Sequence, residues 1–92
     1  MNTNKFLPIG SVVLLEGEQK QLVISGYHAS IEENREIYDY MGILYPEGIQ
    51  GNKDYYFFNH DQIAKVSYVG YESTEYKELN EELLQQFGGT HE

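Results

Sequence analysis

Apolar residues in this chain come in short runs cut by turn-forming residues. Val12-Val13-Leu14-Leu15 is apolar on both faces of a strand, which predicts a first strand covered on both sides or lying centrally. Residues 16–20 read as a polar hairpin loop. A second strand is expected over 21–25, with Leu22 and Ile24 on one face, Val23 on the other, and Gly26 marking a bulge or a close backbone approach. A third strand over about 36–45 alternates Tyr38, Tyr40, Gly42 and Leu44 against Ile37, Asp39, Met41 and Ile43. Both of its faces carry apolar bulk, so neither tolerates full wetting. Asp39 interrupts that pattern and needs an edge position or a hydrogen-bond partner.

Tyr45-Pro46-Glu47-Gly48 suits a type I turn, with proline at the second position and glycine at the fourth. The aromatic run at 55–58 reads as a fourth strand. Asn59-His60-Asp61-Gln62 reads as a one-turn break with Asn59 as its cap and an exposed histidine. A fifth strand over 64–69 is predicted to turn Ala64, Val66 and Tyr68 inward and Lys65 and Ser67 outward. The pattern then changes period. Tyr76, Leu79, Leu83 and Phe87, widened by Leu84, recur at helical spacing after a cap at Ser73 or Thr74, and Gly88-Gly89 ends the helix. The expected fold class is α+β: a small five-stranded, strongly bent antiparallel sheet or SH3-like barrel with a C-terminal α-helix. Residues 1–5 are read as a disordered N-terminus, 6–87 as one domain, Tyr27 to Arg35 as a long connection with its middle in solvent, and 88–92 as a flexible tail.

Composition narrows the function classes. The 92 residues carry 15 acidic and 6 basic side chains, a formal charge of −9, which would repel phosphate backbones and anionic lipid. Neither nucleic acid nor membrane is therefore expected as a partner. The absence of cysteine fits a reducing cytoplasm, and residues 1–8 lack the apolar stretch of a signal peptide.

Candidate chemistry is sparse. His60 beside Asp61 could form a base and its orienting carboxylate, but adjacent residues seldom point suitably and no nucleophile is marked nearby. His28, His60 and His91 lack ligand spacing, so no metal site is expected. Glu32 with Glu33, and Glu81 with Glu82, lie in solvated stretches. No catalytic residue and no cofactor is predicted. The tyrosines say more. Residues 37–58 hold five of the nine, and Tyr38, Tyr40, Tyr45, Tyr55, Tyr56 and Tyr71 are many hydroxyl-bearing rings for so small a core. Tyrosine is favoured where one end is dry and the other wet, at an interface or a core edge. A partner face made of Tyr38, Tyr40, Tyr45, Tyr55 and Tyr56, rimmed by Pro46, is the expected site.

Three stretches carry a family likeness: P-I-G-S-V-V-L-L-E-G at 8–17, Y-D-Y-M-G-I-L-Y-P-E-G at 38–48 and Y-F-F-N-H-D-Q-I-A-K-V-S-Y-V-G-Y at 56–71. Together they resemble the bacterial domain-of-unknown-function family 4176, over about residues 6–87. That family is encoded beside type VII secretion genes and LXG toxins of Gram-positive bacteria. The resemblance implies a non-enzymatic accessory role: binding the N-terminal helical region of an LXG toxin before export, with other secretion accessory proteins as further candidate partners. An immunity protein against the toxin domain, or a small-ligand enzyme or binding module, are the alternative expectations.

Overall fold

A computed structural model describes residues 6–30, 37–51 and 55–87. The expectations for 1–5, 31–36 and 88–92, including Glu32, Glu33 and His91, lie outside the described residues, as do the side chains of His28 and Phe87. The strands are β1 (Val12–Leu15), β2 (Gln21–Ser30), β3 (Ile37–Tyr45), β4 (Tyr56–Phe58) and β5 (Ile63–Tyr68). One 3₁₀ turn, His60–Gln62, precedes β5, and one helix, α1 (Thr74–Phe87), closes the chain. The architecture is α+β.

All pairings are antiparallel, in the order β4-β3-β2-β1-β5. The first four strands form a meander, and the chain then passes from one edge to the other so that β5 pairs with β1. The barrel alternative is not realised. β4 is only three residues long and gives way to the 3₁₀ turn, so β4 and β5 remain opposite edges of an open sheet. β2 runs five residues past its predicted end at Ser25. A bulge there accounts for the extension: Ile24 pairs with Gly42 and Gly26 with Met41, leaving Ser25 as the extra residue.

The register aligns side chains into rows across the sheet, because directly paired residues share a face. Val66, Val13, Leu22 and Leu44 make one such row, and Tyr40 with Phe58 part of another. These rows face the core, where Val13, Ile24, Tyr40 and Phe58 are fully buried. The chain's own start covers them. Phe6, Leu7 and Pro8 are buried as a strap across this face, and α1 lies over it through Leu83 and Leu84.

Two features depart from the predicted phase. Ile63 and Val66 point inward in β5, whereas Ala64 and Tyr68 are exposed. Two irregularities opposite β1, between Val12 and Val13 and between Leu14 and Leu15, break the alternation assumed from the sequence. In α1, Leu79 is exposed and the inward positions are Tyr76, Asn80, Leu83 and Leu84. The helix is rotated because its contact is partly polar. Asn80 Oδ1 accepts the Phe6 amide at 2.7 Å, and the Tyr76 hydroxyl donates to the Phe6 carbonyl. Ser73 is the cap, its hydroxyl accepting the Tyr76 amide at 3.0 Å. Ser73→Ala should cost about 1 kcal/mol, read as a lower urea midpoint with an unchanged slope.

Candidate interaction surface

The turn after β3 shapes one end of the sheet. Its Tyr45–Pro46 peptide is cis, and Gly48 takes a φ of 77°. The Gly48 amide donates to the Leu44 carbonyl at 2.8 Å, so the loop spans one residue more than the expected type I turn. Positive φ is inexpensive only for glycine, which explains Gly48 at that point. Lys20 Nζ reaches Glu47 Oε2 at 2.7 Å and ties this turn to the β1–β2 loop. That hydrogen bond holds the exposed Glu47 carboxyl below its usual range.

The six sequence-predicted partner residues do not form one surface. Tyr40 is 0% exposed and belongs to the core, so its place in a docking face is overturned. Its hydroxyl explains how a tyrosine is buried there. The Leu7 amide donates to it at 3.0 Å, and it lies 2.7 Å from His60 Nδ1. Its ring stacks on Phe58 at 5.4 Å and meets Phe6 edge-on at 5.8 Å. Tyr38 is half-buried, with its ring 5.9 Å from Phe57. Tyr45, Pro46, Tyr55 and Tyr56 are exposed. Tyr56 pairs with Gly42 and so shares the core-side face, whereas Tyr45 pairs with Gln21 on the opposite face.

His60 also departs from its expected place. It is buried rather than exposed, with its amide donating to Asp39 Oδ2 at 2.8 Å and its ring turned to Tyr40. Asp39, buried as well, thereby meets the requirement read from the sequence. Its own amide donates to Asn59 Oδ1 at 3.0 Å. Gln62 Oε1 accepts the Asn59 amide at 2.8 Å, locking the 3₁₀ turn. Asp61 is exposed. The pair His60 and Asp61 is thus divided between core and solvent, and His60 joins a structural network under the N-terminal strap.

The phenols in that network hold their protons firmly. Burial pushes Tyr27 up to about 12, with the neighbouring Tyr76 adding to the shift. Burial also raises Tyr40 well above the ordinary tyrosine range. Both act as neutral hydrogen-bond groups near neutral pH, and Tyr27 donates to the Leu7 carbonyl. Among the described residues no three histidine, aspartate or glutamate side chains converge on a metal position.

The sheet's other face carries the surface that sequence reasoning missed. Tyr68, Val12, Val23 and Ile43 form one cross-strand row, and Lys65, Leu14, Gln21 and Tyr45 the next. None of these eight belongs to the core cluster or packs against it. An open groove of about 510 Å³ lies among Gly10, Val12, Gln21, Val23, Tyr45, Ser67 and Tyr68. Gln21 Nε2 donates to Ser67 Oγ at 2.6 Å in its lining. Tyr68, at 64% exposure, stands over it. The two-faced apolarity of β1 and β3 was the available signal. Tyr68 was hidden by the bulge opposite Val12 and Val13 that reverses its direction.

No helix among the described residues is long and apolar enough to cross a membrane. No curated protein and no solved structure matches the chain. A family model for a domain of unknown function, DUF4176, matches residues 6–79, which takes in all five strands, the strap and the first turns of α1. The chain belongs to the DUF4176 family.

Proposed function

We propose that the protein is a non-enzymatic cytoplasmic adaptor that binds an LXG-type toxin for export by a type VII secretion system. The secretion context comes from the family likeness of the three motifs, and exposed rings at the β4 edge of the sheet support an interaction role. The observation that carries the reading is the exposure of Tyr55 and Tyr56, with Tyr38 half-buried beside Phe57, on a chain of charge −9. Exposed aromatic rings next to apolar surface are the commonest anchors of protein interfaces. Ile37 and Ile49 are each more than half exposed as well. The net negative charge would speed encounter with a basic polypeptide.

Co-purification with fragments of a toxin encoded beside the gene tests this. The intact chain should retain the N-terminal helical fragment and not the C-terminal toxic domain. Retention of the toxic domain alone would replace targeting by immunity. Tyr55→Ala with Tyr56→Ala should abolish retention of the N-terminal fragment while the circular dichroism spectrum stays unchanged. Full retention by that folded variant would remove these residues from the site.

A further inference from the structure

We propose that the channel between the sheet and α1 is a peptide-binding site, held by the chain's own Phe6-Leu7-Pro8 until a basic, extended segment of a partner protein replaces it. The strap's backbone is bound there as a ligand would be. The Phe6 amide donates to Asn80 Oδ1 at 2.7 Å, and the Phe6 carbonyl accepts from the Tyr76 hydroxyl. The Leu7 amide donates to the Tyr40 hydroxyl at 3.0 Å, and the Leu7 carbonyl accepts from the Tyr27 hydroxyl. Both amides and both carbonyls of two consecutive residues are thus met by side chains, drawn from β2, β3 and α1. Among the described residues no strand pairs with the strap. A segment that completes a sheet is held by ladder bonds to backbone. Peptide sites combine hydrogen bonds to the main chain with pockets for successive side chains.

The seated strap shows which segment fits. Phe6 is buried, its ring meeting Tyr27 and Tyr40 edge-on, each at 5.8 Å. Leu7 and Pro8 are buried beside it. Proline brings no amide, so the third position asks for no acceptor. The site therefore takes an aromatic–aliphatic–proline run, and reads main chain at the first two positions. Charge selects a partner over the strap. One wall of the channel is α1, which exposes Glu75, Glu78, Glu81 and Glu82 against Lys77. Before Phe6 the chain itself offers only Lys5. The same apolar run flanked by several basic residues gains attraction that the strap lacks.

The attachment of the strap permits exchange. Past Pro8, hydrogen bonds from the Gly10 amide to the Ile24 carbonyl and from the Ile24 amide to the Ser11 carbonyl fix the chain to β2. Between strap and anchor, Ile9 is 49% exposed and Gly10 takes a φ of 93°. Peeling residues 6–8 away at this hinge breaks none of the strand pairings. An empty channel would strip three phenols and one amide oxygen of these bonds, at a desolvation cost. Replacement by an equivalent segment restores all four, so exchange is favoured over vacancy.

Fluorescence anisotropy of a labelled synthetic peptide, Lys-Lys-Phe-Leu-Pro-Lys, against the full chain is the test. The tethered strap competes at a millimolar effective concentration, so the wild type should bind weakly. Phe6→Ala weakens that competitor and should bind the peptide about tenfold more tightly, one peptide per chain. Methylating the peptide's leucine amide nitrogen removes the donor to Tyr40 and keeps every side chain, and should abolish binding. If Phe6→Ala does not fold alone, the peptide should restore its circular dichroism spectrum. No binding to the folded variant at about 1 mM peptide, or no recovery of an unfolded one, overturns the proposal. So does equal binding of the methylated peptide, or of one with asparagine in place of each lysine. A wild-type dimer that Phe6→Ala turns to monomer assigns the channel to a second copy's strap and overturns it too. No toxin fragment is involved, so failure here and failure of the toxin co-purification are separate outcomes.

Discussion

Gly70→Ala is expected to destabilise the protein by about 3 kcal/mol or more, enough to leave so small a domain partly unfolded at 37 °C. An added Cβ would stand 2.3 Å from the Ile9 carbonyl oxygen and 3.1 Å from the Ser11 amide nitrogen. Those neighbours are backbone, so no side chain can rotate away. The backbone they belong to is itself pinned. The Gly10 amide donates to the Ile24 carbonyl and the Ile24 amide to the Ser11 carbonyl, each at 2.8 Å. Gly70 is also held in place, its amide donating to the fully buried Ser11 hydroxyl at 2.9 Å. Relief of the clash must break at least one of these bonds in a dry environment. Thermal unfolding should show a midpoint lower by about 15 °C or more. A midpoint within a few degrees of the wild type would show that the start of β1 and the end of β5 yield freely.

Tyr40→Ala should cost about 4–5 kcal/mol, the upper range for removing a large buried ring. Tyr40 joins the sheet to the strap and the 3₁₀ turn. Its ring packs on Phe58 from β4 and Phe6 from the strap, and its hydroxyl joins the Leu7 amide to His60. Tyr40→Phe separates the two contributions. It keeps the ring but strips the Leu7 amide of its acceptor, so a loss of about 2 kcal/mol is expected from the unsatisfied buried donor. Urea unfolding of both variants measures the difference. Equal stability of Tyr40→Phe and the wild type would mean that the strap is held without this hydroxyl. Amide exchange at Leu7 should accelerate in Tyr40→Phe before the sheet itself opens, because the strap loses a contact that the strands do not share.

The Tyr40 predictions concern the N-terminal strap. The N-terminal strap closes the core by entering between the sheet and α1. Its backbone is matched there by side chains from far along the chain: Tyr27 and Tyr40 from the sheet, Tyr76 and Asn80 from the helix. An isolated backbone segment crossing an apolar face would carry unpaired amides and carbonyls, at considerable cost. Part of the tyrosine content, read from the sequence as evidence of a partner face, serves this internal purpose. Tyr38 is half-buried, and the remaining five, Tyr45, Tyr55, Tyr56, Tyr68 and Tyr71, are exposed.

The sequence by itself determined the α+β class, the existence and order of all five strands, with four of them placed to within a few residues, the break before β5 and the terminal helix. Those are local outcomes. They follow from period, turn residues and caps, each readable within a short window. It also showed that β1 and β3 are apolar on both faces and that Asp39 required a partner. Which face each residue took was decided only in three dimensions. A bulge opposite Val12 and Val13 turned Tyr68 outward, a polar contact with the strap rotated α1 so that Leu79 faced water, and one hydroxyl network drew Tyr40 and His60 inside. In every case the deciding interaction joins residues distant in the chain: Phe6 with Asn80, Tyr40 with His60, Val13 with Val66. A pattern read along the chain cannot contain that information, because it arises only when the ends of the chain meet across the sheet.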